Sequence, residues 1–136
     1  MRGYAPAVSL VRALAAGENR IMATSYFVVR AVVADPADRK RFDHWYETEH
    51  LPDAVAAFRA RRGWRCWSRT DPAVHVAFYE FASVDEVEAL AGSPALGALI
   101  AEFDRVWGTR VRRSREILEG TGDVQGGAGP SGSGRG

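Results

Sequence analysis

Two periods of apolar residues divide the chain. Residues 25–34 (SYFVVRAVVA) are rich in β-branched and aromatic side chains and end at Asp35-Pro36, which predicts a strand closed by a turn. Residues 38–50 change to helical spacing, with Asp38 in the position of an N-cap. Leu51-Pro52-Asp53 interrupts that spacing, and residues 54–58 predict a short second helical piece. Residues 64–69 read as a strand after a glycine, Asp71-Pro72 as a turn, and residues 73–81 (AVHVAFYEF) as the clearest strand of the chain. Ser83, with Glu86 three residues on, forms a capping box. The helix it opens breaks near Gly92-Ser93-Pro94 and resumes toward Trp107. Residues 109–118 predict a last strand, weakly patterned because of its arginines.

The predicted order is β-α-β-β-α-β, the split βαβ plan of a ferredoxin-like sandwich, and the class is α+β. Both helices then cover one face of the sheet. The other face still carries apolar side chains such as Val74, Val76 and Phe78, and a second copy of the same sheet is the simplest cover. The expectation is therefore a homodimer built as a dimeric α/β barrel. Residues 22–119 hold the pattern. Residues 1–21 read as an upstream extension without a fold of its own, with Met22 a candidate natural start. Residues 120–136 are glycine, serine and small polar residues, expected to be a flexible, disordered tail.

Composition narrows the classes without choosing among them. The chain has 136 residues, 46% of them apolar, which suits one globular domain and not a disordered one. A formal charge of +1 gives no argument for nucleic acid or a membrane surface. No apolar run approaches the roughly 20 residues that span a bilayer. The single cysteine, Cys66, cannot pair within the chain, so a reducing, cytoplasmic setting is the default.

The densest chemical signal is the run from Phe42 to Pro52 (FDHWYETEHLP). At about 100° per residue, Phe42, Trp45, Tyr46 and Glu49 share one helical face, with His50 at its edge and His44 and Glu47 pointing away. Phe42, Trp45 and Tyr46 are expected to meet the sheet, and Glu49 and His50 to lie at or near the buried layer. A buried carboxylate needs a partner, so Glu49 reads either as a paired structural group or as part of a site. His50 admits two readings: an acid/base group titrating near neutrality, or a cap on the helix C-terminus. A metal site is not expected, because His44 and His50 stand six residues apart on different faces. His75 shares a strand face with Ala73, Ala77 and Tyr79, where the small alanines can leave a cavity; it reads also, and more readily, as a core histidine bonded to a neighbour. Trp64 and Trp67 must face opposite ways on their strand. Arg110, Arg112, Arg113 and Arg115 read as charge that blunts an edge strand, or as a site for an anion. No glycine-rich phosphate loop and no nucleic-acid motif is present.

The pattern F-x-x-W-Y-x-x-E-H-x-P formed by Phe42, Trp45, Tyr46, Glu49, His50 and Pro52 resembles the signature of the EthD-like family in the dimeric α/β-barrel superfamily. The order Trp-Tyr departs from the more common Tyr-Trp, which leaves the roles of Trp45 and Tyr46 interchangeable. The resemblance implies the fold and a pocket. It spans relatives as different as cofactor-free monooxygenases, polyketide cyclases, lactone isomerases and haem-degrading enzymes, so it does not assign a reaction. On this basis the expected function is binding of a small hydrophobic, oxygenated or aromatic molecule, with cofactor-independent acid/base catalysis. His50 and Glu49 are the candidate catalytic pair, and Trp45, Tyr46 and His75 the candidate substrate contacts. No metal or organic cofactor is called for. A non-catalytic binding or accessory protein with the same pocket is the alternative.

Overall fold

The computed structural model describes residues 23–127. The expected extension of residues 1–21 and the end of the glycine-rich tail lie outside them. Nine residues, Ser25–Val33, form β1, and Val74–Phe81 and Val111–Glu119 form β3 and β4. Arg62–Trp67 forms β2. The helices are α1 (Pro36–Trp45), α2 (Leu51–Phe58), α3 (Val84–Ala91) and α4 (Pro94–Trp107). A π-helical turn, Tyr46–His50, joins α1 to α2, and a 3-10 turn, Gly108–Arg110, leads into β4. The sheet order is β2-β3-β1-β4, with every neighbouring pair antiparallel. This is the expected split βαβ arrangement, with β1 and β3 central. Among the described residues, no helix is long and apolar enough to cross a membrane.

Local chemistry explains where the helices start. Asp35, not Asp38, is the N-cap of α1: its carboxylate accepts from the Ala37 N–H at 2.9 Å, and Pro36 occupies the first turn, where no N–H is needed. Ser83 and Ser93 cap α3 and α4 by accepting from the N–H groups of Glu86 and Leu96. The reciprocal bond differs from a capping box: the Glu86 carboxylate accepts from the Ala82 N–H, one residue before the Ser83 cap.

Strand alternation sorts the sheet into two faces. Phe27, Val29, Ala31 and Val33 of β1 and Ala77, Tyr79 and Phe81 of β3 form the helix-side core with Phe42, Trp45, Tyr46, Phe103 and Trp107. Register puts Trp64 opposite Phe78 and Trp67 opposite His75, so the two tryptophans face opposite ways as the alternation predicts. On the outer face Trp64 stacks on Phe78 at 5.2 Å and meets Tyr26 edge-on at 6.1 Å. Val28 and Val74 lie beside them, already buried within one chain.

Gly63 on β2 marks where α2 presses on the sheet. A Cβ there would meet Val55 Cγ2 at 2.7 Å and Tyr79 Cδ1 at 3.2 Å, too close without movement. Gly63→Ala is expected to cost on the order of 1–3 kcal/mol, as overpacking does. Chemical denaturation checks this; an unchanged midpoint would mean that α2 yields freely.

Candidate functional site

Phe42, Trp45 and Tyr46 descend from the end of α1 into the core, each below a tenth exposed. The turn after them shapes the site. The Leu51 N–H donates to the carbonyl of Tyr46, five residues back, so the helix widens through Tyr46–His50. Pro52 lies just beyond and lacks the N–H that an unbroken α-helix would give to Thr48, a local reason for the ladder to shift here. The Thr48 hydroxyl donates to the His44 carbonyl at 2.8 Å within this loosened turn.

In a widened turn each residue rotates through a smaller angle, so His50 comes back beneath the aromatic face and Glu49 swings out. His50 is 7% exposed, its ring stacked on Trp45 at 4.6 Å and edge-on to Tyr46 at 4.9 Å. Glu49 is exposed. The expectation that Glu49 lies at the buried layer is therefore corrected: it assumed regular α-helical rotation through a turn that is not α-helical. The capping reading of His50 is corrected as well. The helix runs on through α2 to its cap at Arg59, and His50 Nδ1 is buried with no hydrogen-bond partner.

His50 and its neighbours line a small cavity that opens to solvent; about 20 Å³ of it is cavity proper, and the 290 Å³ of empty space around it includes that open solvent. Its walls are Phe27, Val29, Phe58, Leu96, Leu99, Ile100 and Phe103, and its polar groups are Tyr46, His50, Tyr79, Arg113 and Arg115. Of the sequence-predicted residues, Tyr46 and His50 are in the wall. Trp45 and His75 are not: Trp45 backs the His50 ring, and His75 lies behind Tyr46, ring to ring at 4.5 Å. Tyr79, on the strand face where a cavity is expected, and Arg113 and Arg115, offered as an anion site, line the cavity, together with Phe103, which the sequence pattern left unmarked. Strand alternation was the available signal, since Tyr79 follows His75 by four residues and Arg113 and Arg115 follow Val111 in steps of two.

The polar groups are held in neutral or fixed states. The Tyr46 and Tyr79 hydroxyls share a hydrogen bond at 3.2 Å. Burial pushes Tyr46 up to about 12 and Tyr79 well above its ordinary value, so both are un-ionised phenols. Burial, helped by Arg113, lowers His50 to about 4. Burial, helped by Arg65, lowers His75 to about 3. Behind the cavity Arg65 is clamped by Asp43 at 2.8 Å and Glu47 at 2.8 Å and approaches His75 Nε2 at 3.3 Å. Asp43 also accepts from Trp67 Nε1 at 2.7 Å, and the hydrogen bonds from Arg65 and Trp67 hold its carboxyl below the usual range. This network locks α1 onto β2 and β3. Among the described residues no three His, Cys, Asp or Glu side chains converge as a metal would require.

Comparison with solved structures places this architecture. An ethyl tert-butyl ether D (EthD) family protein from Bacillus halodurans superposes with a TM-score of 0.54 at 14% identity, over 71% of this chain and 99% of that one. The fold is ferredoxin-like. A variant of SnoaB, a cofactor-independent oxygenase from Streptomyces nogalater, gives 0.51 at 13% identity over 74% of this chain and 96% of that one. A NIPSNAP family protein of unknown function from Agrobacterium tumefaciens gives 0.51 at 13% identity over 71% and 87%. No family model matches the chain, and no curated protein matches it. The likeness thus supports the α+β fold and the resemblance to EthD-family proteins, and activity has to be argued from the site.

The two buried imidazoles make stability depend on acid. Both have folded values below their ordinary 6.5, so the unfolded chain binds protons that the folded chain refuses. Stability is full above about pH 6.5 and falls as the pH drops toward 4 for His50 and 3 for His75. His50 alone accounts for about 2 kcal/mol of the loss between about pH 6.5 and 5, at about 1.4 kcal/mol per unit. In urea titrations His50→Gln should show a shallower pH dependence by about one proton. Parallel curves for the two proteins would mean that the folded chain protonates His50 near its ordinary value.

Proposed function

We propose that the cavity beside His50 binds a small hydrophobic, oxygenated or aromatic molecule, and that His50 exchanges a proton with it. The observation that carries this reading is a neutral imidazole and a hydrogen-bonded phenol pair in one apolar cavity. Apolar walls with a few convergent polar groups are the usual make-up of a small-molecule site. His50, unprotonated near neutral pH, accepts a proton from an acidic C–H or O–H of the ligand. Two hydroxyls sharing one bond retain a second O–H, which donates to the oxygen that becomes electron-rich. Trp45 positions the imidazole by stacking, and His75 supports Tyr46 from behind. The reaction class is that of cofactor-independent monooxygenases, cyclases or isomerases; SnoaB, a cofactor-independent oxygenase, has the same fold. Glu49, at the surface, is assigned no contact with the ligand.

One observation favours the alternative of a carrier or accessory protein with the same pocket. An imidazole lowered to about 4 is a weak base, and no acidic side chain lines the cavity to strengthen it. Turnover of a bound ligand, as against binding alone, separates the two readings. His50→Ala should reduce turnover on the order of 100-fold or more, as loss of a positioned acid/base group does. His44→Ala, on the exposed side of the same helix, should change it less than about twofold. Equal losses in both variants, or none in either, would remove His50 from the chemistry.

We further propose a homodimer formed through the outer sheet face. Val28, Val74, Val76, Phe78 and Trp64 give that face an apolar centre. Light scattering at micromolar concentration should give about twice 14.9 kDa. A stable monomer would overturn the barrel.

A further inference from the structure

Strand β4 is an edge strand, and arginine stands at positions 110, 112, 113 and 115 at its start and along it. These four do different things. Arg110 pairs with Asp38 at 3.5 Å and lies over the Trp107 ring. Arg112 is exposed and pairs in register with Val32, on the outer face. Arg113 and Arg115 pair in register with Ala31 and Val29, which belong to the helix-side core, and both line the cavity. Charge that protects a strand edge accounts for Arg112. It does not require two guanidinium groups at one apolar cavity.

Their charge is incompletely answered. The Arg113 side chain is 13% exposed, its guanidinium lies 3.9 Å from the centre of the Phe103 ring, and it pairs with the exposed Asp104. Among the described residues no carboxylate lies within 4 Å of Arg115, and no acidic side chain lines the cavity. The remaining polar wall is neutral: His50 and the Tyr46–Tyr79 pair, with one O–H left over to donate. Guanidinium groups and a phenol pair lining one cavity with apolar walls match an oxygen anion attached to a hydrophobic body.

We propose that the cavity selects ligands carrying one negatively charged oxygen, a carboxylate, phenolate or enolate on an apolar or aromatic body, and that Arg113 and Arg115 set that selectivity. This rests on reading the cavity as the ligand site. It goes further by fixing the charge of the molecule bound there.

The test uses the full chain and two probes of matched shape, 2-naphthoate and neutral 2-naphthamide, with affinity read from quenching of tryptophan fluorescence. Naphthoate should bind at least about tenfold more tightly, since hydrogen bonds to charged groups exceed neutral ones by that order. Added salt should weaken naphthoate and leave naphthamide nearly unchanged. Arg115→Gln, at an exposed position, should bring the two affinities toward equality, and Arg115→Lys should restore part of the difference. Arg113→Gln should do the same if circular dichroism shows it folded. Equal affinities for the two probes in the unmutated chain would overturn the charge selectivity while leaving the cavity as a ligand site. Binding of neither probe would overturn both readings.

Discussion

The ring of Phe42 has no exposed surface, and the aromatic layer around it holds the domain together. It meets Trp45 and Tyr46 from its own helical segment, Trp67 and His75 from the sheet, and Phe103 and Trp107 from α4, with ring centres 5.1–6.1 Å apart. Edge-on and tilted aromatic contacts of this kind add to the burial of large apolar surfaces. One side chain thereby joins α1 and α4 to the sheet. The position of His50 depends on this layer, because its ring stacks on Trp45, which the layer already fixes.

Two histidines sit against that layer, and their partners give them different parts. His75, with no exposed surface, has Arg65 at one nitrogen, and Arg65 is in turn held by Asp43 and Glu47. Its role is to fasten sheet to helix. His50 has aromatic rings for neighbours and a cavity beside it. Burial keeps both imidazoles uncharged, because a cation there would lose its hydration without a carboxylate to replace it. A neutral imidazole, two un-ionised phenols and two guanidinium groups thus line one cavity.

The sheet serves two separate surfaces. Its inner face builds the cavity from β1, β3 and β4, while its outer face carries Tyr26, Trp64 and Phe78 in mutual contact. Because successive side chains point to opposite faces, the two surfaces are built from interleaved residues of the same strands. Arg113 and Arg115 therefore belong to the cavity, and Arg112 and Ser114 beside them do not.

Local sequence signals dictate the element order, the Ser83-capped helix, the opposed tryptophans of β2 and the burial of Phe42, Trp45 and Tyr46. These come from local periodicity and capping, which operate over a few residues. The sequence also pointed to His50, through its place after an aromatic helical face and before Pro52. It misplaced Glu49, because a shift from α to π rotation leaves no mark in the apolar spacing, and Pro52, its local trace, reads equally as a helix break. The start of α1 at Asp35 was a local signal attributed to Asp38 instead. The cavity was decided by tertiary structure alone. His75 was displaced from it by Tyr46, and Tyr79, Phe103, Arg113 and Arg115 were brought into it, from strands and a helix far apart along the chain. Whether two side chains share a cavity depends on strand register and on how helices lie across the sheet, and pairings of that range are not encoded in any short stretch of residues.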